Sequence, residues 1–171
     1  MIYFVRHGET DYNIEQIIQG QLDIPLNQTG INQAKELAEN IKDIKIDKIY
    51  CSPLRRTKTT AEIINKYHNV QIIYDDRLKE FYGGKFQGFR FKDLSPEQKY
   101  AIQFEPEKYG AETTEHFYNR TVEFYKEIEN TEEVVLIVSH GGVWRHLHRY
   151  KNNLDMSFDI KPPPNSKLIK M

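Results

Sequence analysis

Apolar positions along the chain follow two spacings. Ile2-Tyr3-Phe4-Val5 is a short run of β-branched and aromatic residues, the pattern of a buried strand. Residues 13–30 are polar, with Gly20, Pro25 and Gly30, and read as a loop. Ala34, Leu37, Ala38 and Ile41 then fall on one helical face, predicting a helix from an N-cap at Thr29 to Lys42. Ile46 to Cys51 predicts a second strand. Ser52 as N-cap and Pro53 at the first helical position predict a helix from there to about Tyr67. Val70 to Tyr74 is a third strand, and Ser95-Pro96-Glu97-Gln98 is a capping box opening a short helix toward Phe104. Phe117, Thr121, Phe124 and Ile128 mark one face of a helix over about Thr113 to Glu129. Val134 to Val138 is continuously apolar, as in a strand buried on both faces. A helix from Gly141 to about Lys151, a rigid connector at Pro162-Pro163-Pro164 and a last strand near 167–170 complete the reading.

Strands alternate with helices throughout. This predicts an α/β fold, a three-layer α/β/α sandwich with a mostly parallel central sheet. Residues 81–111 are the least regular stretch and are expected to form a short cap over one end of the sheet. No boundary divides the chain, so 1–171 is expected to be a single domain. The 171 residues suffice for a core without disulfides or metals.

Composition narrows the function. With 24 basic and 25 acidic residues no dominant field exists, so no nucleic-acid or membrane partner is expected. The single cysteine, Cys51, cannot form an internal disulfide and fits a reducing compartment as a small buried hydrophobe. The first apolar run is too short for a signal-peptide core, so a cytoplasmic location is expected.

Candidate chemistry clusters after the predicted strands. His7 follows the first strand, His140 follows Val134–Val138, and Arg56 lies in the first turn of the helix after Cys51. In open parallel sheets ligands bind outside the carboxyl ends of the strands, so these groups are expected to converge. Arg6, Arg56, His7 and His140 around one point describe a pocket for a tetrahedral anion, because guanidinium donates paired hydrogen bonds to phosphate. Gly141-Gly142 at a helix start would add backbone N–H groups. Taken singly, each has a plainer reading as a structural histidine, a solvated arginine or a turn. No metal site is expected, since there is no His-Glu-x-x-His motif and only one cysteine. His68, His146 and His148 read as surface residues, and His116 as non-catalytic.

Arg6-His7-Gly8-Glu9-Thr10 followed by Asn13 resembles the signature of the histidine phosphatase superfamily, also called the phosphoglycerate mutase-like family. The resemblance runs along nearly the whole chain. It includes Gln19-Gly20 with Asp23 and Pro25-Leu26, Ser52-Pro53-Leu54-Arg55-Arg56 with Thr60-Ala61, Leu78-Lys79-Glu80 with Gly84 and Gly88, Glu112-Thr113 with Arg120, and Ser139-His140-Gly141-Gly142. Many members carry an arginine near Ile17, which is absent here, and Ala111 and Thr113 depart from the family's Gly-Glu-Ser.

The resemblance implies a metal-independent phosphatase without cofactors, acting on a small phosphorylated metabolite. His7 would attack phosphorus and carry the phosphoryl group. Arg6, Arg56 and His140 would surround its oxygens, and Asn13, Gln19, Gly20 and Gly141 would contact substrate. Glu80 is the expected general acid, with Glu9, Asp75 and Asp76 as rivals. Glu112 is expected near the leaving group or behind the residues that touch it. Phosphoglycerate mutase, protein phosphohistidine phosphatase and a non-catalytic phosphate-binding module remain open, and a homodimer is compatible with the sequence.

Overall fold

The apolar runs pair as a five-stranded sheet in the computed structural model, which describes residues 1–156 and 159–171. Strands β1 (Ile2–Arg6), β2 (Lys48–Cys51), β3 (Gln71–Tyr74), β4 (Val135–Ser139) and β5 (Leu168–Lys170) lie in the order β3-β2-β4-β1-β5. The first four are parallel, and β5 runs antiparallel on the outer edge of β1. Among the described residues the α-helices are α1 (Asp11–Ile14), α2 (Gln28–Asn40), α3 (Arg55–His68), α4 (Pro96–Phe104), α5 (Thr114–Ile128) and α6 (Gly141–Asn152).

The alternation within each strand builds the two faces. Val5, Ile49, Cys51, Leu136 and Val138 pack with Leu37, Ala38, Ile41, Ala61 and Ile64 of the α2–α3 side. Phe4, Val135 and Ile137 pack with Phe117, Phe124, Ile128, Trp144 and Leu147 of α5 and α6. Strand β4 is buried at every position, as its unbroken apolar run requires.

Two helix starts differ from the expected ones. Helix α2 begins at Gln28, because Asn27 Oδ1 accepts the Gly30 N–H at 2.8 Å and caps the helix ahead of Thr29. Helix α3 begins at Arg55 behind Leu54, without a side-chain cap. Ser52 does not serve as that cap, since its Oγ lies 2.8 Å from His140 Nε2 and 3.5 Å from the Leu54 nitrogen. A short helix the hydrophobic pattern does not signal, α1, is closed by a reciprocal box between Thr10 and Asn13.

Register sets up the site. Arg6 pairs with Ser139, and Cys51 pairs with Val138, so the carboxyl ends of β1, β4 and β2 are flush. The residues that follow them, His7, His140 and Ser52, therefore stand side by side. The His7 N–H donates to the Ser139 carbonyl at 3.0 Å and the Ser52 N–H to that of Val138 at 3.1 Å. Residues 84–111 build a small cluster of their own around Phe86, Leu94, Ala101 and Ala111. That cluster is tied to the early loop by hydrogen bonds between the backbones of Ile18 and both Gly88 and Phe89, each 2.9 Å long. Among the described residues, no helix is long and apolar enough to cross a membrane.

Candidate active site

A cavity of about 450 Å³ opens at the carboxyl edge of the sheet, with Arg6, His7, Arg56 and Glu80 on its wall. His7 is almost fully buried. Its Nδ1 lies 2.7 Å from the Gly8 carbonyl oxygen. A carbonyl only accepts, so Nδ1 carries the proton and Nε2 carries the lone pair. Burial, then Arg56 and Arg6, hold the His7 pKa well below the usual imidazole range. The ring is thus neutral at physiological pH, and it is oriented by a backbone group that no motif reveals.

His140 packs edge-on to His7, with ring centroids 5.3 Å apart. It is fully buried behind the cavity wall, and its Nδ1 has no hydrogen-bond partner among the described residues. Burial, Arg56 and the other nearby cationic groups keep it neutral too. Arg56 is also fully buried. Its Nη groups donate to the carbonyls of Leu22 and Gly20 at 2.8 and 2.7 Å, and its Nε is unpaired. Burial lowers its pKa to about 10, against the pull of Glu80 and Asp23, which still leaves it charged at neutral pH. Arg6 donates to the Pro163 carbonyl at 3.2 Å, and its Nε is likewise buried without a partner. Buried polar nitrogens left unpaired are costly, and two of them on side chains of the cavity wall, with a third on His140 behind it, fit an anion that would satisfy them.

Glu80 stands at the mouth of helix α6. One carboxylate oxygen accepts the Phe81 N–H at 2.9 Å and the other the Gly142 N–H at 3.1 Å. Gly142 is required there, because a Cβ would run into the Glu80 carboxylate and come within 2.7 Å of the Phe117 ring. Gly142, and not Gly141, faces the cavity, since the space a Gly141 side chain would need is taken by Pro162. Asn13, Gln19 and Gly20 line the cavity as well. The Asn13 Oδ1 is engaged by the Thr10 N–H, so its amide NH₂ is the end left for a ligand.

Glu112 lies off the cavity wall. Arg120 grips its carboxylate with two bonds, at 2.7 and 3.1 Å. The same guanidinium donates to the carbonyls of Arg77, Lys79 and Glu80 at 2.7, 2.8 and 3.0 Å. Burial would raise the Glu112 carboxyl, but the bonds from Arg120 and from the Tyr82 N–H outweigh it and hold it below the usual range. His116 bonds the outer side of Glu112 at 2.8 Å and is exposed. The rival acids Glu9, Asp75 and Asp76 are not on the cavity wall, and Asp75 is tied to Arg77.

Some contributors were not anticipated. His146 is buried, not at the surface: it is edge-on to Phe117 at 4.6 Å, and it lines the cavity beside Arg145 and Arg149. Burial, with Arg149 and Arg120 behind it, pushes its pKa down to about 4. Its helical spacing from Gly142 is the signal that marks this face. His68 and His148 are half-buried and stand elsewhere. Asn165 donates to the His7 carbonyl at 2.7 Å from the segment before β5. Phe81 reaches the wall from the expected cap, while Phe86 and Tyr109 stack on each other. Ile17 lines the wall as an apolar residue. Among the described residues, no group of three or more His, Cys, Asp or Glu side chains could hold a metal ion.

A three-layer α/β protein with paired neutral histidines, a buried Arg56 and a half-buried Arg6 at the sheet edge has the makings of a phosphoryl-handling site. The model of the histidine phosphatase superfamily, branch 1, matches residues 2–165. The chain is 39% identical over 143 residues to the uncharacterized phosphatase PhoE of Bacillus subtilis, covering 82% of this chain and 72% of that protein. Its structure is similar to Bacillus stearothermophilus YhfR, with a TM-score of 0.85 at 26% identity, covering 98% and 88% of the two chains. It is equally similar to the mycobacterial glucosyl-3-phosphoglycerate phosphatase Rv2419c in complex with VO3, with a TM-score of 0.84 at 26% identity, over 98% and 90%. The chain belongs to the histidine phosphatase superfamily and is a phosphatase-type enzyme.

Proposed function

We propose that the protein hydrolyses phosphate monoesters of small molecules through a phosphohistidine on His7, with no metal in the reaction. The observation that carries this is the His7 ring itself, neutral, buried between two arginines and turned by the Gly8 carbonyl so that Nε2 bears the free lone pair. Nε2 attacks phosphorus, and the bond to the leaving oxygen breaks as Glu80 delivers a proton to that oxygen. Water then attacks the phosphoryl group. Glu80 takes its proton, the P–N bond breaks and inorganic phosphate leaves with His7 neutral again. Arg6, Arg56 and the Nδ1 of His140 stabilise the charge on the transferring oxygens, which is most of what phosphoryl transfer requires.

Glu80 on the cavity wall supports ester hydrolysis over removal of phosphate from a protein histidine, whose leaving nitrogen has less need of an acid. Residues 81–111 act in this reading as a cover, through Phe81 and through the loop they hold at Ile17 to Gly20.

The test is turnover of para-nitrophenyl phosphate in excess chelator by the wild type and by His7→Ala. Turnover that survives the chelator and is lost in the variant supports the reading. Equal rates in both proteins exclude His7 as nucleophile, and a rate abolished by chelator excludes the metal-free reaction.

A further inference from the structure

The phosphoryl centre leaves one wall of the cavity unexplained. Helix α6 turns Gly142, Arg145, His146 and Arg149 toward it, at the i, i+3, i+4, i+7 spacing of one helical face. The opposite face of the same helix carries Val143, Trp144 and Leu147 into the core. Nothing in the phosphoryl transfer uses the three side chains beyond Gly142. Crowding cationic groups on this wall is unfavourable without an anion between them, because they repel each other. Arg145 bears on Arg6 and on Arg149, and both Arg145 and Arg149 bear on His146.

The wall carries four arginines against one carboxylate, Glu80. His146 is buried, and its Nδ1 has no partner among the described residues. Arg149 donates to the Met156 carbonyl at 3.4 Å and is further balanced by Asp155 and Asp159. Arg145 is exposed and is held by a single bond from Nε to the Ile160 carbonyl at 2.9 Å. Its two terminal nitrogens have no hydrogen-bond partner among the described residues, in the geometry that grips a carboxylate with parallel bonds. The wall also carries apolar side chains, Ile17, Phe81 and Phe117, with Phe117 lying against both His146 and Phe81.

We infer that the α6 stripe is a second anion site, and that the preferred substrate is a phosphomonoester whose leaving group carries a carboxylate bound by Arg145, with His146 and Arg149 beside it. The inference rests on the phosphatase reading above, with phosphorus at His7 and the leaving group pointing outward along these apolar side chains. Arg145 is then a residue that sets specificity, not one that touches the reacting atoms.

Carboxyphenyl phosphates and their carboxamides differ in charge and hardly in shape, so they isolate this site. Both the meta and para isomers should be compared, to allow for reach. The wild type is expected to turn over the better acid with a kcat/KM roughly tenfold above its amide, mostly through KM, as one charge-assisted hydrogen-bonded contact would give. Arg145→Gln is expected to bring that ratio close to one, and Arg145→Lys to restore part of it. A wild type that treats acid and amide alike overturns the inference, and so does a preference that persists in Arg145→Gln. Equal loss for both esters in Arg145→Gln makes the residue merely structural and also overturns it. If neither ester is hydrolysed, the phosphatase reading fails by itself. Calorimetric binding of the acid against the amide then decides the anion site separately, with tighter binding of the acid supporting it and equal binding overturning it.

Discussion

In the proposed reaction much is asked of two side chains, Glu80 and Arg120. The Glu80 carboxylate accepts two backbone N–H groups and so has a fixed position at the cavity mouth. Glu80→Gln keeps the shape and removes the transferable proton. We expect its kcat to fall by about 10²- to 10⁴-fold on alkyl phosphates and by clearly less on para-nitrophenyl phosphate, whose leaving group needs little protonation. Equal losses on both would remove the acid role. Arg120 anchors the Lys79 and Glu80 backbone while neutralising Glu112. Arg120→Met leaves the half-buried Glu112 carboxylate with only the Tyr82 N–H and His116, and is expected to lower stability by about 1–3 kcal/mol in denaturant unfolding. Adding Glu112→Leu removes that charge, so the double variant should regain much of the stability but not kcat, because the Glu80 segment stays untied. Recovery of both would reduce the pair to a structural role.

At the scale of elements, strand ends and helix starts decide the site. The strand–helix alternation and the positions of His7, His140 and Arg56 after their strands are legible because apolar runs and chain order dictate a parallel sheet. Helix starts are less legible, since capping side chains have rival partners. Ser52 looks like an N-cap, but its hydroxyl is drawn to His140 across the sheet edge, a contact between residues far apart in the chain. Nor can a linear reading reveal the Gly8 carbonyl behind His7, or which glycine of the 141–142 pair faces the cavity, as both depend on packing. The burial of His146 was hidden for a related reason: a histidine two residues from another reads as a solvated face until the helix is rotated against Phe117. Gly142→Ala tests the close approach of α6 to Glu80. Its added methyl must displace the carboxylate or Phe117, so kcat should drop by about tenfold or more while the far-UV signature of the fold is retained, and an unaffected rate would show the contact to be slack.

At the scale of the whole molecule, the buried imidazoles give the fold a pH response between neutrality and mild acid. His7, His140 and His146 all have folded pKa values below that of the unfolded chain, with burial the first cause in each. Below pH ~6.5 the unfolded chain binds protons that the folded protein refuses, so stability is full above that value and falls as pH drops toward the folded pKa values. Each group contributes a loss of up to about 1.4 kcal/mol per pH unit in that window. For His146 the window closes near pH 4. Thermal unfolding followed from pH 7 to 4.5 should show this decline, and His146→Phe should make it shallower. An unchanged slope in the variant would mean that His146 titrates normally in the folded state. The sheet order has a bearing on how the protein is made. Strand β1 is flanked by β4 and β5, both from the last 37 residues of the chain. During synthesis β1 precedes both of its neighbours, an apolar strand with two open edges until β4 and β5 have followed it. Until the sheet closes, those open edges are a template for pairing with other chains, so β1 is expected to be an aggregation-prone segment of a partly made chain.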